Sequence, residues 1–230
     1  MVSERLEAWC KTHRALPKSI LYYRNGVSNG QLSAVRAHDL SQIEAAYRAA
    51  AQRRHNLGDA EAAKITVVAV ARHHRTRFFP LPGAPEQALK PGTAVDWNEH
   101  SPEYPSFFLQ SHPGPKPSAN GAPASNGPPK PAHYTLLENG MRFSGREMQS
   151  LTHALCHTHV RSTTALSYAP PVHYANLLCK RGRGYVQGTP VVVQGKSGES
   201  TRKTAVLRDL KRADNAGPWD PKLNESMFWV

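Results

Sequence analysis

The chain has 230 residues, 39% of them hydrophobic, and its 29 lysines and arginines against 17 acidic residues give a formal net charge of +12. That apolar content suffices for a core, but it nowhere concentrates into a membrane-spanning run. The opening MVSERLEAWCKTHRALPK lacks the apolar centre of a secretory signal and carries Glu4 and Glu7, unlike a transit peptide, so a cytoplasmic protein, or alternatively a nuclear one, is expected.

Cys10, Cys156 and Cys179 are odd in number and far apart, so no disulfide framework is expected. The basic excess attracts polyanions without naming one. Residues 136–186 carry six basic residues against two acidic ones, and four of the six fall between Arg161 and Arg183.

In chain order, residues 3–14 read as a short helix with Leu6, Trp9, Cys10 and His13 near one side, ended by Pro17. Residues 19–23 (SILYY) read as a buried strand, and Asn25-Gly26 and Asn29-Gly30 as turn signals. Leu32, Val35, Leu40, Ile43 and Tyr47 share one stripe of a helix running to about Arg54. KITVVAV, 64–70, is apolar on both faces and predicts a strand inside a covered parallel sheet, which makes the segment a βαβ unit.

After Phe79 the order weakens. Residues 80–106 are rich in proline and polar residues, Phe107-Phe108-Leu109 is a short apolar island, and 113–131 has the composition of a disordered insertion. A strand is expected over 134–137, a turn at Glu138-Asn139-Gly140, and a helix from an N-cap at Ser144, with Glu147 closing a capping box, through Cys156. Pro170-Pro171 is read as a break before a short helix over 174–180. Residues 187–222 are read as a loose basic loop, and the apolar MFWV ending as a docked terminus.

Two local patterns invite chemistry. The YYRNGVSNGQ loop follows a strand, where α/β sheets keep functional groups, yet its Asn25 is neutral; on its own it is an ordinary βα connection. His153, Cys156 and His157 share a helix face as zinc ligands do, but among twelve histidines such spacing is common, and no metal site is assigned.

ILYYRNGVSNGQ, RHHRTRFFP (72–80), PGTAVD (91–96), FFLQSHPG (107–114), KPAHYTLL (130–137), LTHALCHTHVRSTTALSYAPPVHYANL (151–177), KRGRGY (180–185) and the MFWV ending occur in one order across the chain. Together these blocks resemble the C-terminal half of the PIWI domain of the Argonaute/Piwi family. The resemblance implies an α/β, RNase H-like fold, with a partial PIWI domain over 1–186; residues 187–230 are then the loose basic loop and docked C-terminus. Active members cut RNA with divalent metal, Mg²⁺, held by carboxylates and usually a histidine. Here Asn25 stands at the motif's aspartate and Asn176 at its histidine. The resemblance also puts the strand with the first aspartate and the loop with the glutamate before Met1. It therefore implies no nuclease activity and no cofactor.

The binding half of the pattern is fuller. Arg77, His112, Lys130, Arg161, Ser167 and Arg181 match positions where the family contacts guide phosphates, Lys130 standing where an arginine is common. His159 and His173 stand where tyrosines are common. Single-stranded guide RNA and an RNA target are the implied partners, as is the missing PIWI and MID half. The alternatives are a module that accepts tryptophan-containing peptides of silencing proteins, or a non-functional truncated Argonaute.

Overall fold

The computed structural model describes residues 2–53, 62–78, 89–96, 103–113 and 130–187. The 113–131 insertion, apart from its ends, and the 187–222 loop and terminus beyond Gln187 lie outside the described residues. The chain divides into two compact units, Met1–Val172 and His173–Val230.

The first unit begins with α1 (Val2–His13), β1 (Ser19–Asn25), α2 (Leu32–Gln52) and β2 (Lys64–Ala71). Then come β3 (Thr93–Asp96), β4 (Ser106–Gln110), β5 (Ala132–Asn139) and α3 (Gly145–Cys156), and α4 (Pro170–Gln187) crosses into the second unit. The strands form one sheet in the order β1-β2-β5-β4-β3. β1 and β2 are parallel, from Ser19 opposite Lys64 to Asn25 opposite Val70, with α2 as the crossover.

The sheet is mixed, which corrects the expectation for β2. Its other neighbour, β5, is antiparallel, as are the β4–β5 and β3–β4 pairs. What makes β2 apolar on both faces is cover rather than parallel neighbours. Ile65, Val67 and Ala69 pack with Leu32, Ile43 and Leu137 on the α2 side. Val68 and Val70 pack with Tyr23, Tyr134, Met148 and Val172 on the other. This is the two-residue alternation of a strand between two apolar layers.

Three further readings are corrected. β4 and β3 form in the stretch whose composition implies weaker order: all five residues of β4 are buried, so its apolar island is an interior strand. The helix expected over 174–180 runs from Pro170 to Gln187. Its two prolines begin the helix rather than break it, because the first-turn N–H groups have no intrahelical partner and the proline φ suits a helix. The capping box at Ser144 formed as expected, with Ser144 Oγ accepting from Glu147 N–H at 3.3 Å and Glu147 Oε2 accepting from Ser144 N–H at 2.8 Å. Hydrogen bonds donated to that carboxylate by Ser144 N–H and by Ser144 Oγ–H hold the Glu147 carboxyl below its ordinary range.

Gly140 is where close approach demands glycine. Its N–H donates to Ile65 O at 2.9 Å, and a Cβ there would lie 2.4 Å from that oxygen.

Candidate functional site

The C-terminal ends of β1 and β2 meet at the Asn25–Val70 pair. β1 ends in Asn25, and the chain turns away through Gly26 at φ +76°, a conformation glycine adopts without strain. β2 continues past Ala71 into Arg72, His73, His74 and Arg75. These four residues, with His112, Lys130, Ala132 and Ser167, line a cleft of about 450 Å³. Four different chain segments contribute to it, and Arg72, Arg75 and Lys130 are its cations.

Each wall has a structural reason. His74 Nε2 donates to Pro131 O at 2.6 Å, which ties the β2 exit to the residue after Lys130. The His74 ring meets Phe108 edge-on at 5.0 Å. His112 follows β4, and its carbonyl accepts from the Gln110 side-chain amide at 2.6 Å. Burial pushes the His112 imidazole below its ordinary pKa, so in the free protein at pH 7 it is a neutral hydrogen-bonding group. Ser167 sits in the segment between α3 and α4. That segment is held at Leu166, whose N–H donates to Cys156 O at 2.8 Å and whose carbonyl accepts from Ser111 Oγ.

Of the residues selected from sequence, His112, Lys130 and Ser167 therefore come together. Arg77 does not line the cleft: its Nη1 donates to the carbonyls of His74 at 3.1 Å and Thr76 at 2.9 Å, folding it onto its own loop. Arg161 is exposed in the loop after α3, where its N–H donates to His159 Nδ1 at 3.3 Å. Arg181 is exposed on α4 in the second unit, with Asn176 half-buried one turn earlier. Arg72 and Arg75 were overlooked in the sequence, although RHHRTRFFP contains both. Their signal was a basic run directly after the strongest strand.

The histidine face of α3 does not close into a metal centre. His153 and His157 approach at 3.4 Å between their Nε2 atoms, but Cys156 turns into the core, fully buried. Burial raises its thiol pKa, against hydrogen bonds with Ser111 and Tyr134. Among the described residues no three His, Cys, Asp or Glu side chains gather in a way that would hold an ion. No described helix is long and apolar enough to cross a membrane.

Elsewhere, an apolar groove of about 680 Å³ lies between α1 and the start of β1, lined by Leu6, Trp9, Leu16, Ile20 and Tyr22 among others. Trp9 is 43% exposed at its rim and stacks on His13 at 3.8 Å.

A Piwi domain profile matches residues 1–187. Protein argonaute MEL1 of Oryza sativa subsp. japonica is 35% identical over 194 residues, 82% of this chain and 17% of the rice protein. Protein argonaute 5 of Arabidopsis thaliana is 31% identical over 193 residues, 81% of this chain and 18% of its own length. The chain thus spans less than a fifth of these two relatives. The C-terminal lobe of a budding yeast Argonaute superimposes with a TM-score of 0.74 at 23% identity, over 100% of this chain and 43% of that one. Kluyveromyces polysporus Argonaute with a guide RNA gives the same score and identity over 99% of this chain and 26% of its own. The shared fold is RNase H-like.

Proposed function

The chain belongs to the Piwi domain family, and from that premise we propose that it holds the sugar-phosphate backbone of single-stranded guide RNA without cutting a target. The observation that carries this reading is the cleft at the end of β2. His112, Lys130 and Ser167, selected from sequence for phosphate contact, line it together with Arg72 and Arg75. Guanidinium and ammonium groups supply charge to a phosphodiester, and the serine hydroxyl and a neutral imidazole supply hydrogen bonds. The similar yeast fold crystallised with a guide RNA supports the choice of ligand.

The absence of cleavage rests on Asn25 and Asn176. A carboxamide offers a neutral oxygen where a metal needs negative charge to offset its own. Both matched positions carry asparagine.

Fluorescence anisotropy with short single-stranded RNA across a salt series tests the binding. Lys130→Ala is expected to weaken binding about tenfold, equally for all sequences, because phosphates carry no base information. It should also flatten the log–log salt slope by about 0.7, as one lost single-strand phosphate contact does. Arg48→Ala, an exposed α2 position paired with Glu44 at 3.6 Å, is the control. Equal losses in the two variants would mean diffuse attraction and no formed channel. Arg161→Ala and Arg181→Ala extend the same test to the flanking matched residues.

A second reading rests on the apolar groove beside Trp9, which is suited to an aromatic side chain of a silencing partner. A tryptophan-containing peptide bound there would be displaced little by salt, and Leu16→Glu would abolish it.

A further inference from the structure

Arg72 is exposed, yet its guanidinium carbon lies 4.2 Å from the centre of the Tyr168 ring. We infer that Tyr168 is a positioning residue for phosphate binding: it holds Arg72 flat against its ring, with the outward edge of the guanidinium turned to the cleft. The inference rests on the binding reading above and adds a residue to it.

The platform is rigid. Tyr168 is 5% exposed and belongs to the core layer of Tyr23, Val70 and Tyr134. The backbone on both sides of it is anchored. Leu166 is held at its N–H by Cys156 O and at its carbonyl by Ser111 Oγ, and Ala169 N–H donates to Tyr134 Oη at 3.2 Å. Tyr134 is fully buried, and burial pushes its hydroxyl pKa well above the usual value, so the hydroxyl stays neutral. Ser167, the neighbour of Tyr168, lines the same cleft as Arg72.

A free arginine loses much side-chain entropy on fixing a ligand. Stacking on a ring bolted to the core spends that entropy before the ligand arrives, while the planar guanidinium keeps its donors for a phosphate. Lysine substitutes only in part: it has the charge but not the plane.

The test is RNA anisotropy on the full chain, with folding checked by circular dichroism. Arg72→Ala should weaken binding about tenfold. Tyr168→Phe, which keeps the ring face, should stay within twofold, while Tyr168→Leu should lose roughly two- to fivefold. The Arg72→Ala/Tyr168→Leu double variant should bind no more weakly than Arg72→Ala alone, since the tyrosine acts through the arginine. Arg72→Lys, at an exposed position that leaves the core intact, should lose roughly two- to fivefold in the wild-type background. This arm can still overturn the positioning role where Tyr168→Leu fails to fold. Wild-type affinity in Arg72→Lys, or additive losses in the double variant, would overturn the positioning role while a loss in Lys130→Ala kept the cleft. Wild-type affinity in both Lys130→Ala and Arg72→Ala would overturn the cleft itself.

Discussion

β1 and β2 run side by side in the same direction and finish together, but their ends differ in chemistry. At the end of β1 stands Asn25, which offers a metal only a neutral oxygen. At the end of β2 begin Arg72, His73, His74 and Arg75, which with Lys130, His112 and Ser167 make a cationic cleft. Holding two metals calls for carboxylates at fixed positions, and an amide in place of an acid removes one negative charge from that set. Receiving a phosphate backbone requires only donors and positive charge, which several side chains share. The two capacities rest on one sheet, yet we propose that one end has lost its chemistry while its neighbour keeps its binding.

The sharpest break of the comparison strikes the scaffold that both ends share. Gly140→Ala would drive a methyl into Ile65 O at the start of β2. A loss of about 2–4 kcal/mol is expected in denaturant unfolding. A variant as stable as the wild type would show that the turn relaxes and that β2 does not depend on it.

Next in size is Lys130→Glu, which puts a carboxylate among the cations of the cleft. Binding of single-stranded RNA should fall about 30-fold, roughly 2 kcal/mol, with unfolding unchanged. An unaltered affinity would move the binding surface away from the end of β2.

A smaller effect concerns the support beneath that end. His133 on β5 lies opposite Ala71 and stacks on Phe108 at 4.4 Å. Burial, with the neighbouring His74, lowers its pKa to about 4. The unfolded chain, with an ordinary histidine near 6.5, therefore binds more protons than the folded one between pH 6.5 and 4, and stability falls as pH drops through that window. The loss from pH 7 to pH 5 should be about 1–2 kcal/mol, discounted for the partial exposure of the ring. His133→Phe should remove that share of the pH dependence; an unchanged pH profile would show that the His133 pKa does not differ between the folded and unfolded chain.

The smallest expected effect is at the end of β1. Asn25→Asp should leave a complementary RNA target intact with guide and Mg²⁺ or Mn²⁺, because one carboxylate cannot hold two metals. RNA affinity should change less than about threefold, since the added charge lies outside the cleft lining. Cleavage of the target opposite the middle of the guide would sink the contrast between the two ends.

Much of this was legible in the sequence for local reasons. The helical stripe from Leu32 to Tyr47, the β-branched run of β2 and the Ser144–Glu147 box are patterns whose physics acts within a few residues. Asn25, and the residues matched for phosphate contact, were legible as motif positions, because a motif fixes residue types in order along the chain. Tertiary structure decided the rest. β4 is five residues whose burial comes from strands distant in sequence, so a three-residue apolar island was the whole of its local signal. Whether β2 had parallel neighbours on one side or both was equally hidden, because an apolar face reports only that it is covered. The order of residues along a motif also did not say which of them share a surface. His112, Lys130 and Ser167 meet Arg72 and Arg75 only because β2, β4, β5 and the segment before α4 converge at one end of the sheet. Arg77 folds back on its own loop, and the hold of Tyr168 on Arg72 joins residues almost a hundred positions apart. Local pattern fixes which chemistry a segment carries, and long-range packing fixes which chemistries act together.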